Sequence, residues 1–168
     1  MCIKKRRITK ISNNIRILTV EEESKIVSLL RNTEHSTRRD YFSDVADLIE
    51  VLVDTGMRKL EAEELMFRDV DFEKNLILVR ATKGAHRRIP MTKRVATILK
   101  RRQEAGQHKP FDLNDLQLKR AWTWVREQMG LKDDKGFVLH ALRSTYAFRL
   151  VNAEVDLNLI KKWLGYSP

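Results

Sequence analysis

The strongest constraint on the fold is a run of apolar residues with helical spacing in the first third of the chain. Val45, Leu48, Ile49, Leu52 and Val53 recur at positions i, i+3, i+4, i+7 and i+8. This spacing places the five side chains on one face of an α-helix, and that face has to be buried against other elements. Gly56 follows, and glycine commonly ends a helix by adopting a left-handed conformation. We therefore predict an amphipathic helix that packs into a core and ends at Gly56.

The period of the pattern changes to two after residue 68, which predicts a small sheet. Val70 and Phe72 alternate with acidic residues, and a turn leads into the apolar run LILV at 76–79. A further strand is predicted around RRIPM, after a turn at Lys83 and its neighbouring glycine. These segments predict a three-stranded antiparallel sheet with Lys83 at the tip of a hairpin. Helical patterns occupy most of the remaining chain, including a capping box at Thr19 and Glu22, so the predicted fold class is α+β and mostly α-helical.

Length and composition restrict the classes of function. The 168 residues are enough for one buried core, and the net charge of +10 favours association with polyanions, nucleic acid before a membrane surface. No apolar run is long enough to span a bilayer or to serve as a signal peptide, so we expect a cytoplasmic protein without a membrane partner. Cys2 is the single cysteine, and no Cys/His spacing suggests zinc. We expect neither a metal nor another cofactor.

Charge is distributed unevenly along the chain. Residues 80–109 contain ten Lys or Arg against one acid, whereas residues 44–73 contain ten Asp or Glu against three bases. Most single surface charges need no explanation beyond solvation. The collective basic excess favours nucleic acid as a partner.

Three side chains stand out as candidates for binding an anion. Arg58 follows the Thr55-Gly56 break and opens a short predicted helix, where an anion would be favoured; a salt bridge to Glu61 is the structural alternative. His140 and Arg143 lie three residues apart, beside the apolar stripe of another predicted helix. An arginine at the edge of a core must be paired, and a phosphate has two oxygens that can accept hydrogen bonds from the planar guanidinium. A structural histidine and an arginine–carboxylate pair remain alternatives.

Four segments, in this order, resemble the motifs of one enzyme family. TGMRKLEAEEL at 55–65 is similar to the first arginine box of the tyrosine recombinases, the phage integrase family, and ATKGAHRRIPM at 81–91 resembles their hairpin lysine segment. HALRSTYAFRLV at 140–151 resembles their His-x-x-Arg box, and WLGYSP at 163–168 resembles a segment that usually reads Leu-Gly-His-Ser. The resemblance extends from Arg16 onward. It implies the DNA breaking-rejoining fold of tyrosine recombinases.

The resemblance also implies roles for individual residues. Arg58 and Arg143 would hold the non-bridging oxygens of a scissile DNA phosphate, because guanidinium groups stabilise the charge that grows there. Lys83 would protonate the leaving 5′-oxygen, and His140 would hydrogen-bond the phosphate or assist proton transfer. Glu61 would support the active-site side chains. We also expect Arg87 and Arg88, next to the hairpin tip, to contact DNA together with Lys83.

Two departures from the family pattern change what we expect of this chain. Tyr166 occupies the position usually filled by His or Trp, and its hydroxyl can donate one hydrogen bond to the phosphate. The family's nucleophilic tyrosine has no match among residues 1–168, so the nucleophile is unknown and we expect the chain alone to be inactive in strand cleavage. We assign residues 1–18 to a basic arm and 19–168 to a catalytic domain that lacks its C-terminal tail, as an excised domain or a truncated gene.

These observations predict the DNA-binding catalytic domain of a site-specific recombinase that acts through a 3′-phosphotyrosine and comes from a phage, prophage or mobile element. Its expected partners are double-stranded DNA and, in the full-length form, other recombinase protomers. Two other functions remain open. One is a non-catalytic DNA-binding remnant or regulator derived from such an enzyme. The other is a metal-free nuclease that uses His140 and Lys83 for general acid–base chemistry.

Overall fold

The computed structural model of the chain describes residues 15–32, 40–81 and 85–166. Within these residues the fold is mostly helical, with one small sheet between the third and fourth helices, as predicted. The helices are α1 (Val20–Arg31), α2 (Phe42–Thr55), α3 (Lys59–Glu63), α4 (Lys93–Glu104), α5 (Asp115–Gln128), α6 (His140–Asn152) and α7 (Leu157–Leu164). The strands are β1 (Val70–Asp71), β2 (Leu76–Val79) and β3 (Arg87–Pro90).

The residues just before Thr19 already contact the folded body. Thr19 and Glu22 form the predicted capping box of α1. Just before it, Leu18 is buried and its amide donates to the Thr145 hydroxyl, while Arg16 pairs with Glu22 and Asp134. The body therefore begins by Arg16, whereas the sequence placed its boundary after residue 18. Residues 1–14 lie outside the described residues.

Helix α2 is the centre of the core, as its apolar periodicity predicts. Val45, Leu48, Ile49, Leu52 and Val53 are each no more than 2% exposed, and the helix packs against α1, α4 and α6. Its C-terminal cap is Gly56, in the left-handed conformation with φ 64°. This end of α2 is the point from which the candidate site is built.

The sheet is antiparallel with the order β1-β2-β3. Strand β1 is shorter than predicted, because Phe72 already lies in the turn that leads to β2. Strands β2 and β3 form the predicted hairpin, with Val79 paired to Arg87. Helix α3 is short, as predicted: it ends at Glu63 and is followed by a short 3-10 helix at Phe67–Asp69.

Residues of the acidic sector (44–73) and of the basic sector (80–109) pair with each other around the core. Asp47, in α2 and only 2% exposed, accepts hydrogen bonds from Arg31, Arg101 and Arg102. The other carboxylates of this network are Glu23, Asp44, Glu50 and Asp54, and its other cations are Arg94 and Arg149. Arg94, Arg101 and Arg102 of the basic sector are thus engaged within the protein. This pairing reduces the share of the basic excess that can reach an external anion.

Gly56 is required by both conformation and space. A Cβ atom at this position would lie 2.3 Å from Cδ1 of Tyr146 and 2.9 Å from Cδ2 of Leu164. Gly106 offers a useful contrast, because its φ of 75° is similar but nothing lies within 4 Å of an added Cβ. The close approach at Gly56 lets the ends of α2, α6 and α7 meet.

We predict that Gly56→Ala lowers the free energy of unfolding by about 3 kcal/mol. Left-handed strain accounts for roughly 1 kcal/mol and overpacking against Tyr146 for the remainder. The matched variant Gly106→Ala should lose only about 1 kcal/mol, because it adds the strain without the clash. Urea unfolding of both variants measures this difference, and equal losses would contradict the steric role of Gly56.

We predict that Asp47→Asn lowers the free energy of unfolding by about 3 kcal/mol at pH 7, because it removes the shared carboxylate of a buried ion-pair network. Burial alone would raise the pKa of Asp47, but the hydrogen bonds from Arg31, Arg101 and Arg102 outweigh burial and lower the pKa. A lowered folded pKa means that this stability is present above the unfolded pKa of about 4 and is lost as pH falls through the folded value.

The difference between wild type and Asp47→Asn should therefore shrink as the pH is taken below about 4 in urea unfolding experiments. Asp71→Asn is the matched control, because Asp71 is half-exposed and faces Lys74 at 4.0 Å. It should change stability by less than about 0.5 kcal/mol. A loss at Asp47 that stays constant from pH 7 to low pH would be inconsistent with the network.

Candidate functional site

A cleft of about 740 Å³ lies where the ends of α2 and α7 meet the beginning of α6. The end of β2 and the beginning of β3, on either side of the hairpin tip, complete its wall. Most of the charged side chains that line it are cationic. The cations are Arg58, Lys59, Arg80, Arg87, Arg143 and Lys162, and the carboxylates are Glu61 and Glu64. A concave surface with this surplus of positive charge favours an anionic ligand.

Arg143 is the most buried cation of the cleft, with 4% exposure. Its Nη1 donates to the Gly56 carbonyl and its Nη2 to the Leu164 carbonyl, both at 2.5 Å. No carboxylate oxygen of the described residues lies within 4.0 Å of the guanidinium, so the predicted alternative of an arginine–carboxylate pair is not observed. Burial, followed by repulsion from Arg58, lowers the pKa of Arg143. A buried cation without a charged partner gains strongly from an anion in the cleft.

Arg58 precedes α3 and remains half-exposed, although the predicted contact with Glu61 is present. Glu61 Oε1 lies 3.2 Å from Nη1 of Arg58, and Glu61 Oε2 accepts from the Arg58 amide at 2.8 Å. The Arg58 side chain is 51% exposed, so this pairing does not withdraw the guanidinium from the cleft. The sequence therefore identified both the cation and its structural partner.

Arg87 differs from the sequence-based expectation. We expected it to contact DNA, but its side chain is only 7% exposed, and its guanidinium forms a bidentate salt bridge with Glu61. Burial alone would raise the pKa of Glu61, but the hydrogen bonds from Arg87 and from the Arg58 amide outweigh burial and lower the pKa. Arg87 is an inward-facing residue of β3. The basic sequence around it does not reveal this orientation.

His140 and Tyr166 complete the candidate residues that the fold brings to the cleft. His140 is the first residue of α6, and its side chain is exposed. Tyr166 is 55% exposed, and its ring centroid lies 5.4 Å from Cζ of Arg143. Tyr146, by contrast, is 6% exposed and belongs to the core, where burial first and Asp54 second raise its pKa to about 12.

The predicted hairpin residues separate into two groups. Lys83 lies outside the described residues, although the strands on either side of it form the expected hairpin. Arg88 is exposed but does not line the cleft, because neighbouring residues of a strand point to opposite faces. Arg88 and Lys83 remain predicted DNA contacts.

Sequence reasoning missed four basic residues that line the cleft: Lys59, Arg80, His86 and Lys162. Arg80 pairs with Asp69, and His86 accepts a hydrogen bond from the Ala81 amide through Nδ1 at 3.1 Å. Lys162 could have been found from its position just before the LGYSP segment. Across 15–32, 40–81 and 85–166, no group of three or more His, Cys, Asp or Glu side chains is arranged to hold a metal ion.

Comparison with known proteins gives the family. The sequence profile of the phage integrase family matches residues 16–168, which is nearly the whole chain. The chain belongs to the phage integrase family. This result and the observed architecture confirm the predicted tyrosine recombinase fold.

The relatives of this phage integrase domain include recombinases of archaea and bacteria. Tyrosine recombinase XerA of Pyrococcus horikoshii is 30% identical over 160 residues, which cover 89% of this chain and 52% of that protein. Tyrosine recombinase XerC of Roseiflexus castenholzii is 28% identical over 137 residues, which cover 71% of this chain and 43% of that protein. The chain thus spans about half the length of the curated relatives it matches.

Solved structures share the fold of this phage integrase domain. The Tn1549 transposon integrase, in complex with transposon right end DNA, has a TM-score of 0.71 at 20% identity, covering 96% of this chain and 61% of that one.

The described part of our chain contains no helix that is both long and apolar enough to cross a membrane.

We predict that inorganic phosphate stabilises the folded protein through the cleft. A ligand that binds only the folded state at about ten times its Kd adds roughly 1.4 kcal/mol to the free energy of unfolding. Arg143→Met should remove this gain, because it deletes the buried cation while keeping a side chain of similar length. Thermal unfolding with and without phosphate, at matched ionic strength in chloride, provides the measurement.

Arg126→Met is the control for this experiment. Arg126 also donates to backbone carbonyls, those of Leu131, Lys132 and Asp134, but it does not line the cleft. It should retain the full gain from phosphate. Loss of the gain in both variants would assign the effect to general charge, not to the cleft.

Proposed function

We propose that this chain binds double-stranded DNA by holding one backbone phosphate in the cleft, as the catalytic domain of a site-specific tyrosine recombinase. The observation that carries the proposal is Arg143. It is a buried guanidinium without a carboxylate partner in the described residues, next to a second guanidinium that is half-exposed to the same cleft. A phosphate diester supplies the negative charge that Arg143 lacks and can also bind the exposed guanidinium of Arg58.

The two arginines suit the chemistry of phosphoryl transfer. During attack on phosphorus, charge increases on the non-bridging oxygens, and fixed guanidinium groups stabilise that charge without having to reorganise. Arg143 is already held by two carbonyls, and Arg58 is held by Glu61. Arg58 and Arg143 would therefore each contact one non-bridging oxygen of the same phosphate.

The remaining roles follow the family pattern. A tyrosine hydroxyl would attack phosphorus, forming the bond to its oxygen as the bond to the 5′-oxygen breaks. His140 would assist removal of the phenolic proton, and Lys83 would give the 5′-oxygen a proton. The product is a 3′-phosphotyrosine, which conserves the bond energy for rejoining. His140 and Tyr166 would hydrogen-bond the phosphate from the beginning of α6 and the end of α7, with Glu61 in support.

Other properties of the proposal come from the resemblance and the general chemistry of DNA. Phosphate contacts position a protein without reading bases, so we expect salt-sensitive binding with little sequence preference, to which Arg88 and Lys83 add backbone contacts. The complex of the Tn1549 integrase with DNA supports the choice of duplex DNA and an origin in a mobile element. We further propose assembly with other recombinase protomers and a cytoplasmic location.

The non-catalytic alternative uses the same phosphate contacts without the covalent step. The test uses the chain extended by a C-terminal segment that bears the family's tyrosine. With that variant, a DNA adduct that survives denaturation after incubation with a nicked duplex would establish the covalent step and dismiss this alternative. Strand cleavage that leaves no adduct and depends on His140 would instead indicate a nuclease. Duplex binding with neither product would indicate a DNA-binding remnant or regulator.

We predict that the double variant Arg58→Ala, Arg143→Met binds a short duplex about 3 kcal/mol more weakly than wild type. Each charged hydrogen bond contributes roughly 1.5–3 kcal/mol, and the two variants remove the same phosphate contact. Because one phosphate is lost, the slope of log K against log salt should decrease by about 0.9. Fluorescence anisotropy at several salt concentrations measures both quantities.

The control removes two positive charges outside the cleft. Lys119 and Arg120 are exposed residues of α5, and neither lines the cleft. Replacing both with alanine should cost less than about 1 kcal/mol of affinity. Equal losses in the two double variants would attribute binding to the general basic surface and refute the phosphate site.

A further inference from the structure

Arg87 occupies an unusual place for a cation next to a proposed DNA site. Its Nε donates to the Trp163 carbonyl at 2.7 Å, and its two terminal nitrogens donate to the two oxygens of Glu61 at 2.8 and 2.7 Å. The guanidinium therefore joins β3 to α3 on one side and to the last turn of α7 on the other. Three of its five N–H groups are engaged, and only 7% of the side chain is exposed to solvent.

We propose that Arg87 is the positioning residue of the cleft: it orients Arg58 through Glu61 and anchors the end of α7 next to Tyr166, without contacting DNA. This inference rests on the proposed function, because it assigns Arg87 a role in the same site. It replaces the expected DNA contact of Arg87 with an indirect role.

The first connection runs through the Glu61 carboxylate. Each of its oxygens accepts one bond from Arg87 and one from Arg58, so a single carboxylate holds both arginines. Without Arg87, the half-buried charge of Glu61 would be shared only with the cations of the cleft. The carboxylate would then neutralise Arg58 and compete with a phosphate for it. Arg87 keeps Glu61 in place and neutralised, so that Arg58 retains net charge for a ligand.

The second connection runs through the C-terminal turn of α7. Arg87 takes the Trp163 carbonyl, and Arg143 takes the next carbonyl, that of Leu164. Gly165 follows with φ 74°, and a Cβ there would lie 3.1 to 3.3 Å from Nη1, Cζ and Cδ of Arg87. The backbone thus lies directly against the Arg87 side chain before it continues to Tyr166. Two guanidiniums on consecutive carbonyls fix the point from which Tyr166 enters the cleft.

Arg102 provides the comparison needed to separate positioning from ordinary structural support. It is 6% exposed at the side chain, its Nε donates to the Pro110 carbonyl, and its Nη1 pairs with Asp44 and Asp47. The pattern of one carbonyl and carboxylate oxygens matches that of Arg87, but Arg102 does not line the cleft. Arg102→Lys therefore measures what it costs to replace a buried guanidinium elsewhere in the fold.

The test compares Arg87→Lys with Arg102→Lys, since lysine keeps the charge but not the planar fork. In the DNA-free protein, the Nε–Hε NMR resonances of Arg58 and Arg143 should shift in Arg87→Lys and remain unchanged in Arg102→Lys. Duplex affinity should fall about tenfold in Arg87→Lys, the loss typical of one charged hydrogen bond, and less than twofold in Arg102→Lys.

A second background shows whether Arg87 acts through the two phosphate arginines. In the double variant Arg58→Ala, Arg143→Met, adding Arg87→Lys should change affinity less than twofold, because the residues it positions are already gone. An equal tenfold loss in both backgrounds would show that Arg87 contacts DNA itself and overturn the proposal. Unshifted resonances with unchanged affinity would reduce Arg87 to a structural ion pair and overturn it as well.

The experiment distinguishes failure of this inference from failure of the proposed function. If wild type and the double variant bind duplex alike, the proposed function fails, while the resonances of Arg58 and Arg143 still report whether Arg87 positions them. If Arg87→Lys does not fold, Arg87→Gln serves instead, because it breaks the ion pair with Glu61 while Arg58 keeps its own contact with that carboxylate. It should shift the same resonances, and their constancy would again refute the proposal.

Discussion

The two hydrogen bonds of Arg143 to the Gly56 and Leu164 carbonyls hold the site together. They connect the end of α2 to the end of α7 through a residue of α6, at a position with almost no access to solvent. Its partners are carbonyls and not carboxylates, and burial deprives the cation of solvation by water. The cleft exists because three helix ends meet at this guanidinium, and its preference for an anion has the same cause.

The distribution of charge over the molecule follows a related principle. The carboxylates of α2 engage arginines of α1 and α4, so that a large part of both the acidic and the basic sectors is neutralised internally. Of the six cations that line the cleft, four pair with carboxylates, whereas Arg143 and Lys162 have no ion pair within the described residues. Net charge alone therefore describes this protein poorly: what matters is which cations already have a protein partner.

The parts of the structure that depend on local sequence could be predicted from it. The spacing of Val45 to Val53 gives α2, and the alternation after residue 68 gives the sheet, because each pattern reflects burial of one face. Arg58 and Arg143 could be singled out from their positions next to a helix start and a buried stripe, and the four ordered motifs supplied their roles. The partners of Arg87 and Asp47 could not be predicted, because they lie 26 to 76 residues away in one case and up to 55 in the other. Such pairings depend on how helices pack, which a local pattern does not contain.

The separation of the site's components along the chain has a consequence for how the protein is made. Arg143 bonds to a carbonyl 87 residues before it and to one 21 residues after it, and Arg87 bonds to one 76 residues after it. Contacts of such long range form only when most of the chain has already collapsed into its native topology. A nascent polypeptide that has not yet released Leu164 from the ribosome lacks one of the two carbonyl partners of Arg143. The two carbonyl contacts of Arg143 are thus completed only with the final docking of α7, so that the assembled cleft is confined to molecules that have finished folding.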